Sequence, residues 1–349
     1  MRFISALAPV GASRRVAFGA LLTLGLVSAS GRHAEAITIN ATFGSSITSD
    51  SSVAAIEASI NTAISTISSL IADAFTVNIL FQTGATGLGS SNVGLFGTNY
   101  STIRALLIAD SNANPSNTVL STAVANLPAG SNAPNGISDI NITAAGARAL
   151  GLSVPYCYTV TGTFSCGGSG AVIDGIVTLT NSAGLIDYTR PIGSGQYDAL
   201  RVVEHEIDEV LGIGGPSSMI GTIYQGAANG MTDLYRYSAV HTASYTSSSA
   251  ANAYFSVDGG VTSIIGANQN SGGDYADFVS ASGCPANVQN AFSCSAQTAD
   301  ISRTSPEGIL LQAVGYEFYA ATAVPEPASL ALLGLGVATV RVVRRRRNA

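Results

Sequence analysis

Six consecutive positions of the 349-residue chain hold one histidine and four carboxylic acids. These ionisable residues are Glu204, His205, Glu206, Asp208 and Glu209. Like charges four positions apart on a helix, as at Glu204 and Asp208, destabilise it by about 0.2–0.5 kcal/mol. His205 and Glu209 are also four positions apart and share one helical face, which lets two side chains ligate one metal ion. The spacing therefore predicts a cation-binding helix, because a cation would offset the repulsion among the acids.

The residues around this cluster have the pattern of one amphipathic helix, over residues 197–211. Its apolar stripe recurs every three or four positions and consists of Leu200, Val203, Ile207, Val210 and Leu211. The helix is expected to end at the helix-breaking residues that follow, namely Gly212, Gly214, Gly215 and Pro216. The acidic cluster is therefore expected on a helix that packs against a hydrophobic core.

The run that begins at His205, HEIDEVLG, resembles the metzincin-type consensus His-Glu-x-x-His-x-x-Gly-x-x-His. Glu209 and Gly215 stand where that consensus has its second and third metal-binding histidines. A smaller group of predicted metalloproteases that carry C-terminal sorting signals is more similar, since it pairs HEI-x-E-V-x-G with a D-L-[FY]-R-Y-S segment, here residues 233–238. The resemblance covers residues 197–316. It implies an α+β, metzincin-like fold with a mixed sheet and a central active-site helix, and zinc-dependent hydrolysis of peptide bonds.

The number of histidines limits the kind of metal site that the chain can build. Between residues 37 and 323 the chain has two histidines, His205 and His241, so one chain cannot build a three-histidine site. A catalytic zinc site needs three protein ligands and an open position. His205 and Glu209 supply two, and Asp233 is predicted as the third because it lies in the second segment of the resemblance. His241, another acid, a different divalent ion or no metal at all stay open as alternatives. If the site holds a catalytic zinc ion, Glu206 is the expected general base that accepts a proton from metal-bound water.

The N-terminus has the order of a secretory signal peptide. Arg14 and Arg15 precede an apolar run at 16–27, and small residues follow at 34–36. This pattern predicts a signal peptide over residues 1–36. An uncleaved membrane anchor is the alternative.

The C-terminus, residues 324–349, combines the motif Val-Pro-Glu-Pro, an apolar stretch at 328–340 and an arginine cluster at 344–347. This ending resembles the PEP-CTERM sorting signal of Gram-negative bacteria. The resemblance implies transient anchoring in the inner membrane, with the arginines on the cytoplasmic side, and cleavage by an exosortase-type enzyme. The released protein would be extracellular or in the outer envelope. A permanent tail anchor is the alternative.

Removal of both signals changes the charge of the protein. Residues 37–323 keep 19 of the 21 acidic residues but six of the 15 arginines, a net charge of −13 instead of −6. Such a domain repels anionic polymers and attracts cations, so nucleic acid is excluded as a partner. An extracellular protein or peptide is the expected substrate.

Four cysteines fit an oxidising compartment. Their spacings of nine and ten residues differ from zinc-knuckle and redox motifs and predict two local disulfides, Cys157–Cys166 and Cys284–Cys294. Asp274 and Asp277 lack the pattern of a calcium loop and are expected to be turn residues.

Residues 37–323 show no internal repeat and are expected to form one domain. Periodicity predicts helices over 53–75, 100–108 and 119–127, and strands over 38–43, 77–81 and 171–179, with a Gly-rich loop after residue 81. Two functions fit these observations. One is an exported zinc endopeptidase; the other is a non-catalytic acidic matrix or biofilm protein that keeps the same fold.

Overall fold

The structure is a computed structural model that describes residues 36–280 and 287–319. The predicted sorting signal, and the predicted signal peptide up to residue 35, lie outside the described residues. The helices are α1 (Ser45–Thr48), α2 (Val53–Leu70), α3 (Tyr100–Ala113), α4 (Thr118–Asn126), α5 (Ala144–Ala149), α6 (Ala199–Leu211) and α7 (Pro306–Ala313). The strands are β1 (Thr38–Phe43), β2 (Thr76–Ala85), β3 (Gly89–Val93), β4 (Leu95–Asn99), β5 (Asp139–Thr143), β6 (Gly175–Thr180), β7 (Ile186–Asp187), β8 (Tyr197–Asp198), β9 (Asn229–Gly230), β10 (Arg236–Ala239), β11 (Thr242–Ala243), β12 (Tyr254–Phe255) and β13 (Ile265–Gly266).

The main sheet has four strands in the order β1-β2-β6-β3. β1, β2 and β6 are parallel, and β3 closes one edge as an antiparallel strand. β4, β5 and β9 form a second sheet, and β10–β13 form a third. The described residues thus form a mixed α and β fold with a mixed sheet, which confirms the coarse part of the predicted fold class. The metzincin-like assignment stays a prediction.

Helix α2 supplies the crossover that two parallel neighbours, β1 and β2, require. It ends at Leu70 rather than at the predicted residue 75, because Ile71 pairs with Phe318 in an isolated bridge. Its length and composition would allow it to span a membrane. However, Ile56, Ile60 and the rest of its apolar stripe are buried against the core, and polar residues occupy the other face, as in a core helix.

Helix α6 lies at the centre of the core and packs against α2, β3 and β6. The side chain of Asp198 caps its first turn by accepting from the backbone N–H of Leu200, and Gly212 ends it with a φ of 111°. Gly175 of β6 lets the helix approach the sheet, since an added Cβ there would lie 2.7 Å from Val210 Cγ2. The predicted helix over 197–211 is confirmed except for its first two residues, which form β8.

The predicted disulfide Cys157–Cys166 is present. Its sulfur atoms pack against Gly94, the single residue between β3 and β4, where an added Cβ would overlap Cys157 Sγ. The disulfide therefore packs against the junction of β3 and β4 and restricts its movement. Cys294 is also disulfide-bonded, and its predicted partner Cys284 lies outside the described residues.

The last described residues pair with the segment that follows α2. The backbone N–H of Ala72 donates to the carbonyl of Glu317, and the N–H of Glu317 donates to Asp73 Oδ2. Burial, opposed in part by this hydrogen bond, raises the pKa of Asp73 to about 7, and burial likewise raises the pKa of Glu317 to about 7. Both carboxyl groups hold a proton more tightly in the folded chain than in the unfolded chain, where the pKa is about 4.

This difference predicts that the metal-free protein loses stability as pH rises. The contribution of Asp73 is complete below about pH 4 and is lost as pH rises through about 7. In Asp73→Asn, the drop in the free energy of unfolding between pH 5 and pH 8 should be smaller by about 1–2 kcal/mol. Urea unfolding in the presence of a chelator measures this drop.

Asp139→Asn is the matched control, because Asp139 is exposed at the start of β5. It should keep the wild-type drop in stability. If Asp73→Asn lost as much free energy of unfolding between pH 5 and pH 8 as wild type, the raised pKa of Asp73 would not contribute to the pH dependence.

Candidate metal centre

Helix α6 carries its acids into the protein interior. Every residue of α6 except Leu200 and His205 is buried. Four carboxyl groups therefore lie where a charge is poorly solvated, and a buried charge needs a partner or a metal. The helix divides them between two faces.

One face of α6 contributes to a three-residue cluster of metal-ligating side chains. His205 Nε2 lies 3.6 Å from Glu209 Oε1 and 3.8 Å from Asp277 Oδ2. One ligand atom from each of the three residues lies within 4.8 Å of the other two. Ligand atoms around a tetrahedral zinc ion at about 2.0–2.1 Å are about 3.3 Å apart. The cluster is therefore close to the spacing at which it could hold a metal ion.

The third member of this cluster is Asp277, not the predicted Asp233. Asp233 is fully buried, and both its carboxylate oxygens have other partners. Ser218 Oγ donates to Oδ1 at 2.9 Å, and the N–H of Gly230 donates to Oδ2 at 2.8 Å. Asp233 thus fixes the turn that leads from Gly230 into residues 232–235, and it is not part of the cluster. The alternative ligand, His241, lies on an exposed turn beside Gly259 and is not part of the cluster either.

Two glycines make room for Asp277. Gly215, at the position of the third consensus histidine, donates its backbone N–H to Asp277 Oδ1 at 3.0 Å. A Cβ at Gly215 would overlap the Glu209 carboxylate, and a Cβ at Gly214 would lie 2.7 Å from Asp277 Oδ1. A carboxylate from a loop that is distant in the sequence therefore reaches the cluster. Asp277 also lies in a turn, as predicted, since its backbone N–H donates to the carbonyl of Asp274 at 3.3 Å.

Further contacts orient two of the cluster residues. His205 Nδ1 lies 3.0 Å from the carbonyl oxygen of Val288, which accepts a hydrogen bond and so turns Nε2 toward the cluster. Ser91 Oγ, on β3, donates to Glu209 Oε2 at 2.6 Å, so that Oε1 faces the cluster. The edge strand of the main sheet thus takes part in the site, which the Gly-rich sequence around it did not indicate.

Glu206 lies next to the cluster on the same helix. Its side chain packs against Gly89 of β3, where an added Cβ would overlap Glu206 Oε1. Burial raises the pKa of Glu206 well above its usual value, as does the charge of Glu209, while His205 opposes the shift. Oε2 has no hydrogen-bond partner among the described residues.

The electrostatics of the cluster favour a cation. Burial raises the pKa of Asp277 to about 7, with His205 opposing the shift. Burial lowers the pKa of His205, but the charges of Asp277, Glu206 and Glu209 outweigh it and raise that pKa well above its usual value. One imidazole therefore faces three carboxyl groups, and a divalent ion would supply the missing positive charge.

The other face of α6 holds Glu204 and Asp208, away from His205. Glu204 Oε2 accepts from the N–H of Ile301 at 2.9 Å, and burial raises its pKa to about 8. Burial, followed by the charges of Glu307 and Glu204, raises the pKa of Asp208 well above its usual value. The six-residue acidic run therefore splits, and half of its acids belong to the core behind the metal cluster.

Comparison with known proteins bears on the C-terminus. A family model described as the PEP-CTERM protein-sorting motif matches residues 323–347. The chain carries a PEP-CTERM sorting motif. It is thus an exported protein that is sorted through C-terminal membrane anchoring and processed by an exosortase-type enzyme, as predicted. The match does not include residues 197–316, so their resemblance to proteases stays a prediction. No curated protein and no solved structure matches the chain.

The choice between Asp277 and Asp233 can be tested by metal affinity. Asp277→Asn should weaken Zn²⁺ binding by at least about tenfold, since it removes a charged ligand. Asp233→Asn should lower the melting temperature, because a buried charge-assisted hydrogen-bond pair is lost, and should leave affinity within about twofold of wild type. Competition with a chromophoric chelator measures the affinity. The opposite pattern would restore Asp233 as the ligand.

Proposed function

We propose that this exported protein is a zinc-dependent endopeptidase with its active site on α6. The observation that carries the proposal is the convergence of His205, Glu209 and Asp277 on one point, with Glu206 beside them. Three protein donors that leave a position open are the arrangement of catalytic zinc sites. A buried carboxyl group next to them matches the general base of metal-dependent hydrolysis.

Each residue has a distinct role in the proposed reaction. His205, Glu209 and Asp277 would hold the ion, which would supply Lewis-acid chemistry for water activation and for polarising the peptide carbonyl. Glu206 takes the proton released by the water and later passes it to the leaving amine. Val288 and Ser91 keep the ligand atoms oriented.

The donor set bears on the choice of metal. Imidazole suits zinc, and two carboxylates also suit harder ions such as Mn²⁺. Two anionic ligands make the ion a weaker Lewis acid than three imidazoles would. Slow peptide hydrolysis is therefore expected, with zinc as the first ion to test.

One observation favours the alternative function, a non-catalytic acidic matrix protein. The cluster is nearly closed, since the His205 side chain is 16% exposed and those of Glu209 and Asp277 are 5% and 4% exposed. A metal held there would stabilise the fold whether or not a substrate reached it. Cleavage assays separate the two functions.

Replacing Glu206 by Gln tests the general base. The full-length protein, purified in detergent without a histidine tag, should hold one zinc ion and cleave members of a broad peptide library. Glu206→Gln should keep the zinc and lose about 10²–10⁴-fold in kcat, because the amide cannot accept the proton. Elemental analysis and peptide mass spectrometry are the measurements.

Glu57→Gln is the control and should behave as wild type, because Glu57 lies on α2 and is not part of the cluster. Unchanged hydrolysis in Glu206→Gln would remove Glu206 from the mechanism. A wild-type protein that binds zinc and cleaves no peptide would contradict the peptidase and favour the matrix protein.

Gly89 offers a second test, which moves Glu206 without replacing it. The methyl group of Gly89→Ala would overlap Glu206 Oε1 and displace the carboxyl group. A displacement of about 1 Å costs on the order of 10²-fold in rate, while zinc affinity should not change. Gly97→Ala is the matched control in β4, the next strand along the chain, where a Cβ meets no atom within 4 Å. Equal peptidase rates in the two variants would contradict the position assigned to Glu206.

A further inference from the structure

A fourth side chain, that of Gln289, reaches the three-residue metal cluster. Gln289 Nε2 lies 3.3 Å from His205 Nε2 and donates to Asp277 Oδ1 at 3.0 Å. Gln289 is fully buried. The sequence did not single it out, because a lone glutamine matches no metal-ligand motif.

The amide of Gln289 is bonded on one side only. Its oxygen, Oε1, is buried and has no hydrogen-bond partner among the described residues. A buried carbonyl oxygen without a partner costs about 1–3 kcal/mol. The amide nitrogen meanwhile donates to Asp277 Oδ1 and faces His205 Nε2, the ring atom that would ligate a metal ion.

The backbone of Gln289 is fixed on both sides. Its N–H donates to Glu307 Oε1 at 3.0 Å, and its carbonyl accepts from the N–H of Phe278 at 2.9 Å. The preceding residue, Val288, supplies the carbonyl that orients His205. A Cβ at Gly214 would overlap Gln289 Nε2, so this glycine leaves the space that the amide fills. The side chain is therefore held in the cluster, and rotation of its terminal amide is the movement that remains.

We propose that Gln289 is a fourth ligand of the metal centre, binding the ion through Oε1. An amide N–H₂ has no lone pair to give and is repelled by a cation, whereas an amide oxygen accepts or ligates. A half-turn of the amide exchanges the places of Oε1 and Nε2 and turns the unpartnered oxygen toward His205 and Asp277. Without an ion, Nε2 lies beside His205 Nε2 and donates to Asp277 Oδ1. The inference rests on the proposed metal site and adds a neutral oxygen donor, which suits hard divalent ions. A catalytic water would then need a fifth coordination position.

Zinc affinity in the full-length protein tests the fourth ligand. Gln289→Leu removes the oxygen at similar volume and should weaken Zn²⁺ binding by about tenfold or more. Gln289→Glu keeps an oxygen at the same place, adds a charge and should bind Zn²⁺ at least as tightly as wild type. The visible absorption of the Co²⁺-substituted protein responds to coordination number and should change in Gln289→Leu.

Gln312→Leu is the matched control. Gln312 is a second buried glutamine whose amide donates to the carbonyls of Arg303 and Gly308. The Gln312→Leu variant should have a lower melting temperature in the presence of a chelator, with unchanged zinc affinity and an unchanged Co²⁺ spectrum. This comparison separates the loss of a metal ligand from the loss of a structural side chain.

The outcomes distinguish this inference from the proposed function. Zinc binding that depends on His205 and Asp277 but is unchanged or tighter in Gln289→Leu overturns the fourth ligand and leaves the metal site standing. A wild-type protein that binds no Zn²⁺ overturns both.

Discussion

The constraint on which the structure depends is the burial of an acidic helix. Helix α6 packs its apolar stripe against the main sheet and α2, and this packing carries Glu204, Glu206, Asp208 and Glu209 into the interior with it. Carboxylates at such depth need a proton, a hydrogen bond or a cation. The helix meets this need differently on its two faces. On one face, burial raises the pKa values of Glu204 and Asp208, and on the other the carboxyl groups around the His205 imidazole favour a metal ion.

The front face is completed by segments that are far apart in the sequence. The edge strand β3 orients Glu209 through Ser91, and Gly215 positions Asp277 by its backbone N–H. The carbonyl of Val288 orients His205, and the neighbouring Gln289 adds a fourth polar side chain to the site. Small residues recur where these segments meet, because each contact point lacks the space for a Cβ. The site is thus a product of tertiary packing around one helix.

This origin explains what the sequence could predict. The helix, its two donors His205 and Glu209, the strands β1 and β2, one disulfide and the sorting motif follow from local patterns of polarity and spacing. Strands β3 and β4 were missed because glycine and serine carry a weak strand signal. Asp233 was predicted as the third ligand because it lies in a recognisable segment, and Asp277 was expected only to be a turn residue. Nothing in the sequence around residue 277 reveals that the loop returns to α6, and Gln289 is placed by the same long-range packing.

The sorting motif gives this site its setting, since an exported domain with 19 acids and six arginines meets divalent ions outside the cytoplasm. The most direct test of the account is X-ray absorption at the zinc edge on the full-length protein. The account predicts one bound zinc ion whose first shell contains one imidazole nitrogen and otherwise oxygen donors. A shell with two or more imidazoles or with sulfur, or a protein that retains no stoichiometric metal, would contradict it.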